Sequence, residues 1–392
     1  MTNLEQRRFF SRELLAWYMG NRRDLPWRRH RDPYFIWVSE IMLQQTRVDT
    51  VIPYFNRFIE RFPTLQVLAA APEEDVLKHW EGLGYYSRAR NLQQAARQVV
   101  DLHGGRIPDD RGAVAALKGV GPYTTGAIMS IAFNRPEPAV DGNVMRVLSR
   151  YFLIEEDIMK GSTRAGMEEL VRDLIPEGRA SDFNQALMEL GALVCTPKSP
   201  HCLTCPVMEH CEGRLAGREE TLPVKTKAKK PRLEQRSVAL IEGQGHHAGR
   251  ILVRQRPATG LLARMWELPH VASSPSGTEG PVPDEPAMDR LAGALMDEGI
   301  PVFPVAFLRE AEHTFSHIHW NLRVFRFLEG ESGAGLKQSL VAESRAEYRT
   351  EAASAEEGTA GGAVRWIDRS DMETLAFPKV FLDILRDYFE SK

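Results

Sequence analysis

The 392-residue sequence has little cysteine and no long apolar run. Its four cysteines all fall between 195 and 211, which excludes a disulfide framework along the chain and indicates one local site. No stretch approaches the roughly 18 apolar residues of a membrane span, and the N-terminus lacks the apolar segment of a signal peptide. We therefore expect a cytoplasmic protein that does not associate with membranes.

The net charge of −3 is unevenly divided. Basic residues exceed acidic ones by 3 over residues 1–231, whereas acidic residues exceed basic ones by 6 over 232–392. The basic excess is too small to establish nucleic-acid binding, but it permits a local basic groove. At 392 residues the chain exceeds the roughly 250 to 300 at which a single core stops growing, so at least two domains are expected.

The first half has helical periodicity. Apolar residues recur at the spacing of one buried helical face, at Ile52, Phe55, Ile59 and Phe62. A further helix is predicted to open at Pro72, and another to run from about Ser87 until Gly104 and Gly105 break it. Almost no strand is expected before Cys195.

The second half changes character. Residues 214–236 are polar, lack periodicity and carry four lysines within six positions, so they are interpreted as an exposed connector. Beyond it, strands are predicted at 237–241, 251–255, 322–327 and 364–367, with helices at about 286–298 and 378–390. Two stretches rich in small and polar residues, 273–286 and 330–362, are expected to be surface loops.

The cysteines are spaced C-x6-C-x2-C-x5-C, at Cys195, Cys202, Cys205 and Cys211. Four thiolates this close repel one another unless a metal centre accepts them, and two disulfides do not suit a reducing compartment. From chemistry alone, a zinc ion and an iron-sulfur cubane are about equally supported.

Two further segments are more informative together than alone, because of the order in which they occur. Residues 117–127 (LKGVGPYTTGA) contain Gly119 and Gly121, which leave backbone amides exposed at a helix start, where a phosphate oxygen can bind. About twenty residues later comes 140–147 (VDGNVMRV), with Asp141. This order resembles the helix-hairpin-helix glycosylase superfamily of endonuclease III. The resemblance implies an all-α core, a hairpin at about 114–130 and a [4Fe-4S] loop at 195–211 held by the four cysteines. Lys198 and His201 within that loop could meet phosphates.

Four more segments narrow the resemblance: LPWR at 25–28, WVSEIMLQQT at 37–46, EGLGYY at 81–86 and NQALMELG at 184–191. Together they cover most of residues 20–215 and resemble the MutY family of adenine DNA glycosylases. The implied function is base excision repair of double-stranded DNA by a monomer. The implied reaction is hydrolysis of the bond between deoxyribose and an adenine that is mispaired with 8-oxoguanine or guanine.

The chemistry needs two carboxyl groups in different states. Adenine leaves poorly as an anion, so Glu40 is expected to protonate it, and the apolar neighbours of Glu40 should favour the neutral form. Asp141 is expected to stay ionised and stabilise the oxocarbenium-like sugar, while Tyr123 and Asn143 hold it and the attacking water. Relatives that also cut the strand have a lysine where this sequence has Tyr123, so the enzyme should be monofunctional.

Adenine must leave the helical stack to reach these groups. The resemblance places Trp27, Arg28 and Gln185 around the extruded base. It places Gln45, Thr46, Leu83 and Tyr85 in the gap that the extruded adenine leaves in the stack, and against the opposite base. Spacing alone would make Trp27, Leu83 and Tyr85 ordinary core residues.

Residues 237–392 resemble the Nudix fold, with 260–269 (GLLARMWELP) matching its first motif. At the stretch where Nudix hydrolases place magnesium-binding glutamates, this chain has AGALMDEGI at 292–300, so recognition rather than hydrolysis is expected. By resemblance, Phe315, Ser316 and His317 contact 8-oxoguanine. The predicted organisation is a helical glycosylase domain (1–213), a connector (214–236) and an α+β Nudix-like domain (237–392).

Three other interpretations stay open on sequence alone. A related enzyme could remove thymine or uracil instead of adenine. A catalytically inactive DNA-binding protein with a zinc module would bind duplexes without forming abasic product. An independent Nudix hydrolase is disfavoured by the missing glutamates.

Overall fold

The computed structural model describes residues 3–226, 230–273, 284–330 and 363–392. The chain separates into two compact units, one made of Met1–Leu83 with Arg88–Ala228 and the other of Gly84–Ser87 with Lys229–Lys392. Most of the two expected surface loops, at 274–283 and 331–362, lies outside the described residues. No described helix is both long and apolar enough to cross a membrane.

The first unit is helical, and its described residues contain no β-strand. Its helices are α1 (Asn3–Asn21), α2 (Pro33–Leu43), α3 (Val48–Arg61), α4 (Leu65–Ala70), α5 (Glu73–Trp80), α6 (Ser87–His103), α7 (Arg111–Ala115), α8 (Pro122–Ala127), α9 (Gly142–Tyr151), α10 (Gly161–Leu174), α11 (Ala180–Leu193) and α12 (Glu212–Leu215). A π-helical turn, Ile128–Ala132, follows α8, and a 3-10 turn, Pro26–Arg28, precedes α2. The helices predicted around 52–62, from Pro72 and from Ser87 are α3, α5 and α6.

Three helices of this unit, α2, α9 and α11, position residues of the candidate active site. Helix α2 starts at Asp32, whose carboxylate accepts a hydrogen bond from the Tyr34 amide at 2.8 Å, and its residues Ile36–Met42 are all buried. Helix α9 starts at Asp141, whose carboxylate accepts from the Val144 amide at 2.8 Å. Helix α11 packs closely on α9 because a glycine occupies position 191: an added Cβ there would lie 2.6 Å from the Cβ of Asn143.

The second unit is a seven-stranded sheet with helices on both faces. Its strands are β1 (Arg232–Glu242), β2 (Ile251–Gln255), β3 (Trp266–Glu267), β4 (His270–Ala272), β5 (Val302–Thr314), β6 (Ile318–Glu329) and β7 (Val364–Ile367). The order is β3-β2-β1-β6-β5, with β4 paired to β1, β7 paired to β2, and β1 parallel to β6. Helix α13 (Asp284–Asp297) packs on one face, and α14 (Lys379–Glu390) packs on the other.

The sheet differs from the sequence expectation in several places, and the short strands β3 and β4 are not among the predicted strands. Strand β1 begins at Arg232, so 232–236, which composition assigns to the connector, form its first half. Strand β5 was not predicted at all. Pro304 lies within it, and register shifts at Pro304/Ala306 and Phe307/Arg309 break the alternation of side chains from which a strand is recognised.

Candidate active site

One cavity of about 730 Å³ opens in the helical unit. Its lining includes eleven of the residues singled out from the sequence: Trp27, Arg28, Glu40, Gln45, Thr46, Gly119, Gly121, Tyr123, Asp141, Asn143 and Gln185. They come from the 3-10 turn, α2 and the turn after it, the hairpin, the start of α9, and α11. Leu83 and Tyr85 are not among its lining residues. The volume lies within the range of pockets that hold small organic ligands, which suits a nucleobase.

Glu40 lies near the end of α2 and is 5% exposed. The Tyr123 hydroxyl of α8 donates a hydrogen bond to its Oε2. Burial raises the pKa of Glu40 to about 7; the Tyr123 hydrogen bond and the Arg28 charge oppose the rise, and the negative charge of Asp141 adds to it. Near neutral pH this carboxyl group can therefore hold a proton and give it up.

Asp141 faces the same cavity with a different set of partners. Its Oδ1 accepts from the Val144 amide at 2.8 Å, and its Oδ2 accepts from Nδ2 of Asn143 at 3.0 Å. Burial raises the pKa of Asp141, while these hydrogen bonds and the positive charge of Arg146 act in the opposite direction. The amino terminus of α9 also favours an anion here. Of the two acids, Asp141 therefore has the surroundings that better stabilise a negative charge.

The structure adds an acid that sequence reasoning did not single out. Glu189, four residues after Gln185 on α11, is 1% exposed and pairs with both Arg23 and Arg28 at 2.8 Å. Burial alone would raise the pKa of Glu189, but the hydrogen bonds from the two arginines hold it at about 2. Positions 185 and 189 are four residues apart, which places both side chains on one face of α11. This spacing is the sequence feature that could have indicated Glu189.

Arg88 is a second residue that the sequence did not reveal. Its Nη1 donates to the carbonyl oxygens of Ile41, Met42 and Gln44, at 2.8, 3.1 and 2.6 Å. These are the last carbonyls of α2, which have no partners within the helix. Arg88 therefore holds the turn that carries Gln45 and Thr46.

Two of the residues expected at the DNA gap have unusual backbones. Gln45 has φ 59° and Tyr85 has φ 48°, both in the left-handed region that non-glycine residues seldom adopt. Such conformations cluster at functional sites. In the hairpin, Gly119 also has positive φ, at 75°, whereas Gly121 has φ −97° and precedes α8 as its N-cap. Only Gly119 therefore needs to be glycine for its conformation.

The four cysteines, none of them in a disulfide, line one small cavity of about 30 Å³ beneath α9. Arg150 donates a hydrogen bond to Sγ of Cys195 at 3.3 Å. Burial raises the pKa of Cys205 to about 12, and the neighbouring thiols add to the rise. Lys198 and His201 are exposed on this loop. Across the described residues, no three His, Cys, Asp or Glu side chains are gathered as a single metal ion requires.

Phe315, Ser316 and His317 lie in the second unit, in the tight turn between β5 and β6. The Phe315 amide donates to the Ile318 carbonyl at 2.7 Å, which closes the turn. The Phe315 ring packs edge-on against Trp320, with ring centroids 4.9 Å apart. Ser316 and His317 are exposed at the tip.

Known proteins match both units. Residues 38–173 match the HhH-GPD superfamily of base excision DNA repair proteins, and residues 239–387 match the NUDIX domain. The adenine DNA glycosylase of Rattus norvegicus is 39% identical over 380 aligned residues, spanning 83% of this chain and 72% of the rat protein. The Homo sapiens adenine DNA glycosylase is 39% identical over 374 aligned residues, spanning 82% of this chain and 68% of the human protein.

The chain belongs to the adenine DNA glycosylase family. It is an adenine DNA glycosylase of base excision repair and acts on DNA. The predicted family, the enzyme class and the fold class, a helical core with a Nudix-like domain, are therefore confirmed. Among solved structures, a thermostable thymine-DNA glycosylase is 33% identical with a TM-score of 0.49, and the overlap covers 54% of this chain and 98% of that one. The glycosylase family commonly carries a four-iron cluster.

Proposed function

We propose that this glycosylase removes adenine paired with 8-oxoguanine or with guanine, and that it does so by hydrolysis without cutting the strand. The observation that carries the mechanism is that Glu40 and Asp141 line one cavity that is large enough to admit a nucleobase, and that their surroundings favour different protonation states. A purine nucleoside turned out of the duplex would place its base near one acid and its sugar near the other.

Glu40 is the proposed general acid. Departure of adenine requires a proton on its five-membered ring, because the anion is a poor leaving group. A carboxyl group with a pKa of about 7 still carries that proton at neutral pH, and its strength matches the transfer. Tyr123 donates to Glu40, so it fixes the carboxyl group in place and leaves the other oxygen for the base.

Asp141 is the proposed stabiliser of the sugar cation. Its carboxylate is oriented by the Val144 amide and by Asn143, so it needs no rearrangement as positive charge develops on the sugar. Among the described cavity-lining residues there is no lysine to form a Schiff base with the sugar. Water, held by Asp141 and Asn143, is therefore the proposed nucleophile.

The remaining predicted residues are assigned by the same proposal. Trp27, Arg28 and Gln185 surround the adenine, while Gln45, Thr46, Leu83 and Tyr85 fill the gap and contact the opposite base. The hairpin amides around Gly119 and Gly121 bind a backbone phosphate. The exposed turn of Phe315, Ser316 and His317 reads the oxidised guanine.

The cysteine loop is proposed to hold a [4Fe-4S] cluster. Its donor set fits such a group, because four thiols without disulfides converge on one cavity, and burial together with the neighbouring thiols raises the pKa of Cys205. When bound, the cluster would supply rigidity to a loop that carries Lys198 and His201. Visible absorption of fresh protein separates a brown cubane from colourless zinc.

Single-turnover excision tests the substrate assignment. Duplexes with adenine opposite 8-oxoguanine, guanine or thymine are incubated with excess enzyme, and abasic sites are then cleaved with alkali. We expect the fastest excision opposite 8-oxoguanine, slower excision opposite guanine and little opposite thymine. Replacement of the turn, Phe315→Ala with His317→Ala, should bring the first two rates together. Equal rates in the unmodified enzyme would contradict the proposed partner base.

Borohydride trapping tests the hydrolytic mechanism. If water is the nucleophile, borohydride should capture almost no covalent protein–DNA complex during adenine excision. Abundant trapped complex would show that an amine of the enzyme attacks the sugar.

A further inference from the structure

Glu189 accepts five hydrogen bonds from two arginines. Its Oε1 accepts from the Arg23 amide at 3.0 Å, from Arg23 Nε at 2.8 Å and from Arg28 Nη1 at 3.1 Å. Its Oε2 accepts from Nη2 of Arg23 and from Nη2 of Arg28, both at 2.8 Å. A carboxylate that is 1% exposed thus fixes two guanidinium groups in paired, planar contacts.

This cluster borders the proposed acid. Arg23, Arg28 and Glu189 all line the cavity that contains Glu40, and the positive charge of Arg28 acts directly on Glu40. A guanidinium beside a carboxyl group favours its ionised form. A general acid needs the opposite, so a cavity lined by Arg23, Arg28 and Arg164 requires a nearby negative charge.

We propose that Glu189 is a positioning residue that fixes Arg23 and Arg28 at the base cavity and offsets their positive charge beside Glu40. The inference rests on the proposed function, in which Glu40 protonates adenine. It explains why Glu189, whose hydrogen bonds go to Arg23 and Arg28, is buried at the wall of the cavity that contains Glu40.

Other charges also lie near these groups: Arg164 of α10 lines the cavity, and Arg88 of α6 donates to the carbonyl oxygens of Ile41 and Met42, next to Glu40. Glu40 is acted on by Tyr123 from α8, by Asp141 at the start of α9 and by Arg28 from the 3-10 turn. The π-helical turn packed on α2, Ile128–Ala132, has no titratable side chain. Asp49, at the start of α3, acts on Arg23.

Tyr18 and Asp182 lie on the opposite side of the cluster. The charges of Arg28 and Glu189 both act on Tyr18 of α1, and so does the charge of Asp182 of α11. Within this set, Glu189 is the carboxylate that pairs with both arginines.

The pH dependence of single-turnover excision tests the inference. The rate should fall as pH rises through the range in which Glu40 loses its proton. In Glu189→Gln, two positive charges lose their partner, so Glu40 should ionise at a lower pH, by about one unit. The rate relative to the unmodified enzyme should then be roughly tenfold lower at about pH 8.5 than at about pH 5.5, in addition to a pH-independent loss from the released Arg28.

Arg23→Gln is the matched variant with the opposite sign. It removes one positive charge and leaves Glu189 paired with Arg28, so the fall in rate should move to higher pH. Thermal unfolding at each pH verifies that both variants are folded. If Glu189→Gln does not fold, Arg23→Gln decides alone: an upward shift supports the inference, and an unmoved profile overturns it.

A purely structural role gives a different result. If Glu189→Gln lowers the rate by the same factor at every pH, or leaves the profile in place, the inference is wrong while the acid role of Glu40 stands. If the unmodified enzyme shows no fall in rate with rising pH, the proposed acid itself fails.

Discussion

Among the buried glutamates of this glycosylase, one from each unit, Glu40 and Glu267, respond to burial in opposite ways. Glu40 of the helical unit is 5% exposed and Glu267 of the sheet unit is 2% exposed. Burial raises the pKa of Glu40 to about 7. Burial also works to raise the pKa of Glu267, but His270 and Arg256 hold it at about 2.

The partners account for the difference. Glu267 accepts from Arg254 at 3.1 Å and pairs with Nε2 of His270 at 2.9 Å, with Arg256 as a third partner. Glu40 has one neutral donor, Tyr123, and a negatively charged neighbour, Asp141. Burial alone thus does not make an acid catalytic. A buried carboxyl group with no cation bound to it, beside a cavity, is the arrangement that keeps a transferable proton.

Glu40→Gln should have the largest effect on activity. The amide keeps the shape of the side chain but has no proton to give, so single-turnover excision should fall by about 10²- to 10⁴-fold. Binding of a duplex with the same mispair, measured by fluorescence anisotropy, should stay within about twofold. Excision at the normal rate would show that another group protonates the base.

Glu267→Gln should have the largest effect on stability. It leaves Arg254, Arg256 and His270 gathered around a neutral side chain, which for a buried ion pair costs about 3 to 5 kcal/mol. Chemical denaturation monitored by fluorescence should show an earlier first transition. Glu298→Gln is the control, since Glu298 pairs with the same Arg254 but its side chain is 41% exposed, and a surface pair contributes less than about 1 kcal/mol. Equal effects of the two variants would mean that the buried cluster is not cooperative.

Sequence patterns predicted the fold more completely in the helical unit than in the sheet unit. Helices such as α3 and α6 show their buried faces directly in apolar spacing. Strand β5 does not, because its two bulges and Pro304 shift the alternation, and its position is set by pairing along β6. Its partner β6 follows directly after the turn at 315–317, but the shifted register of the pair is visible only in the folded sheet.

The motifs of the site were predictable from the sequence, but the polar contacts between its residues were not. Glu40, Tyr123 and Asp141 lie in three separate segments, and family resemblance is what joined them. The spacing of residues could not show that Arg88 caps α2 or that Glu189 pairs with two arginines, because these contacts join side chains 44 to 166 residues apart. Long-range polar contacts leave little trace in a single sequence.

Stability against pH should distinguish the two buried acids. The folded pKa of Glu40, about 7, lies above its ordinary value of 4.5, so its contribution is fully present below about pH 4.5 and is lost as pH rises through 7. Glu40→Gln should therefore stabilise the protein increasingly as pH rises from about 4.5 to 7, and by on the order of 3 kcal/mol above that range. The folded pKa of Glu267 is lowered to about 2, so its contribution is lost as pH falls from about 4.5 toward 2.

Thermal unfolding from about pH 2 to 9 measures both effects. The difference between Glu40→Gln and the unmodified enzyme should grow with rising pH. A difference that is constant over this range would mean that Glu40 is not unusually hard to ionise in the folded protein.

The smallest predicted effect concerns the contact of α11 with α9. In Gly191→Ala, the new methyl group would lie 2.6 Å from the Cβ of Asn143 and 3.1 Å from its carbonyl oxygen, so one helix must shift by a few tenths of an ångström. Asn143 orients Asp141, and displacements of this size at a reacting centre are costly. Single-turnover excision should fall by roughly tenfold.

Gly166→Ala is the matched control, because it also places a methyl group on a helix, α10, but meets nothing within 4 Å. It should leave excision unchanged and stabilise the protein slightly, by about 0.5 to 1 kcal/mol, since alanine is the better helix former. If both variants excise adenine at the normal rate, Asn143 does not need its observed position, and the orientation of Asp141 must come from the Val144 amide alone.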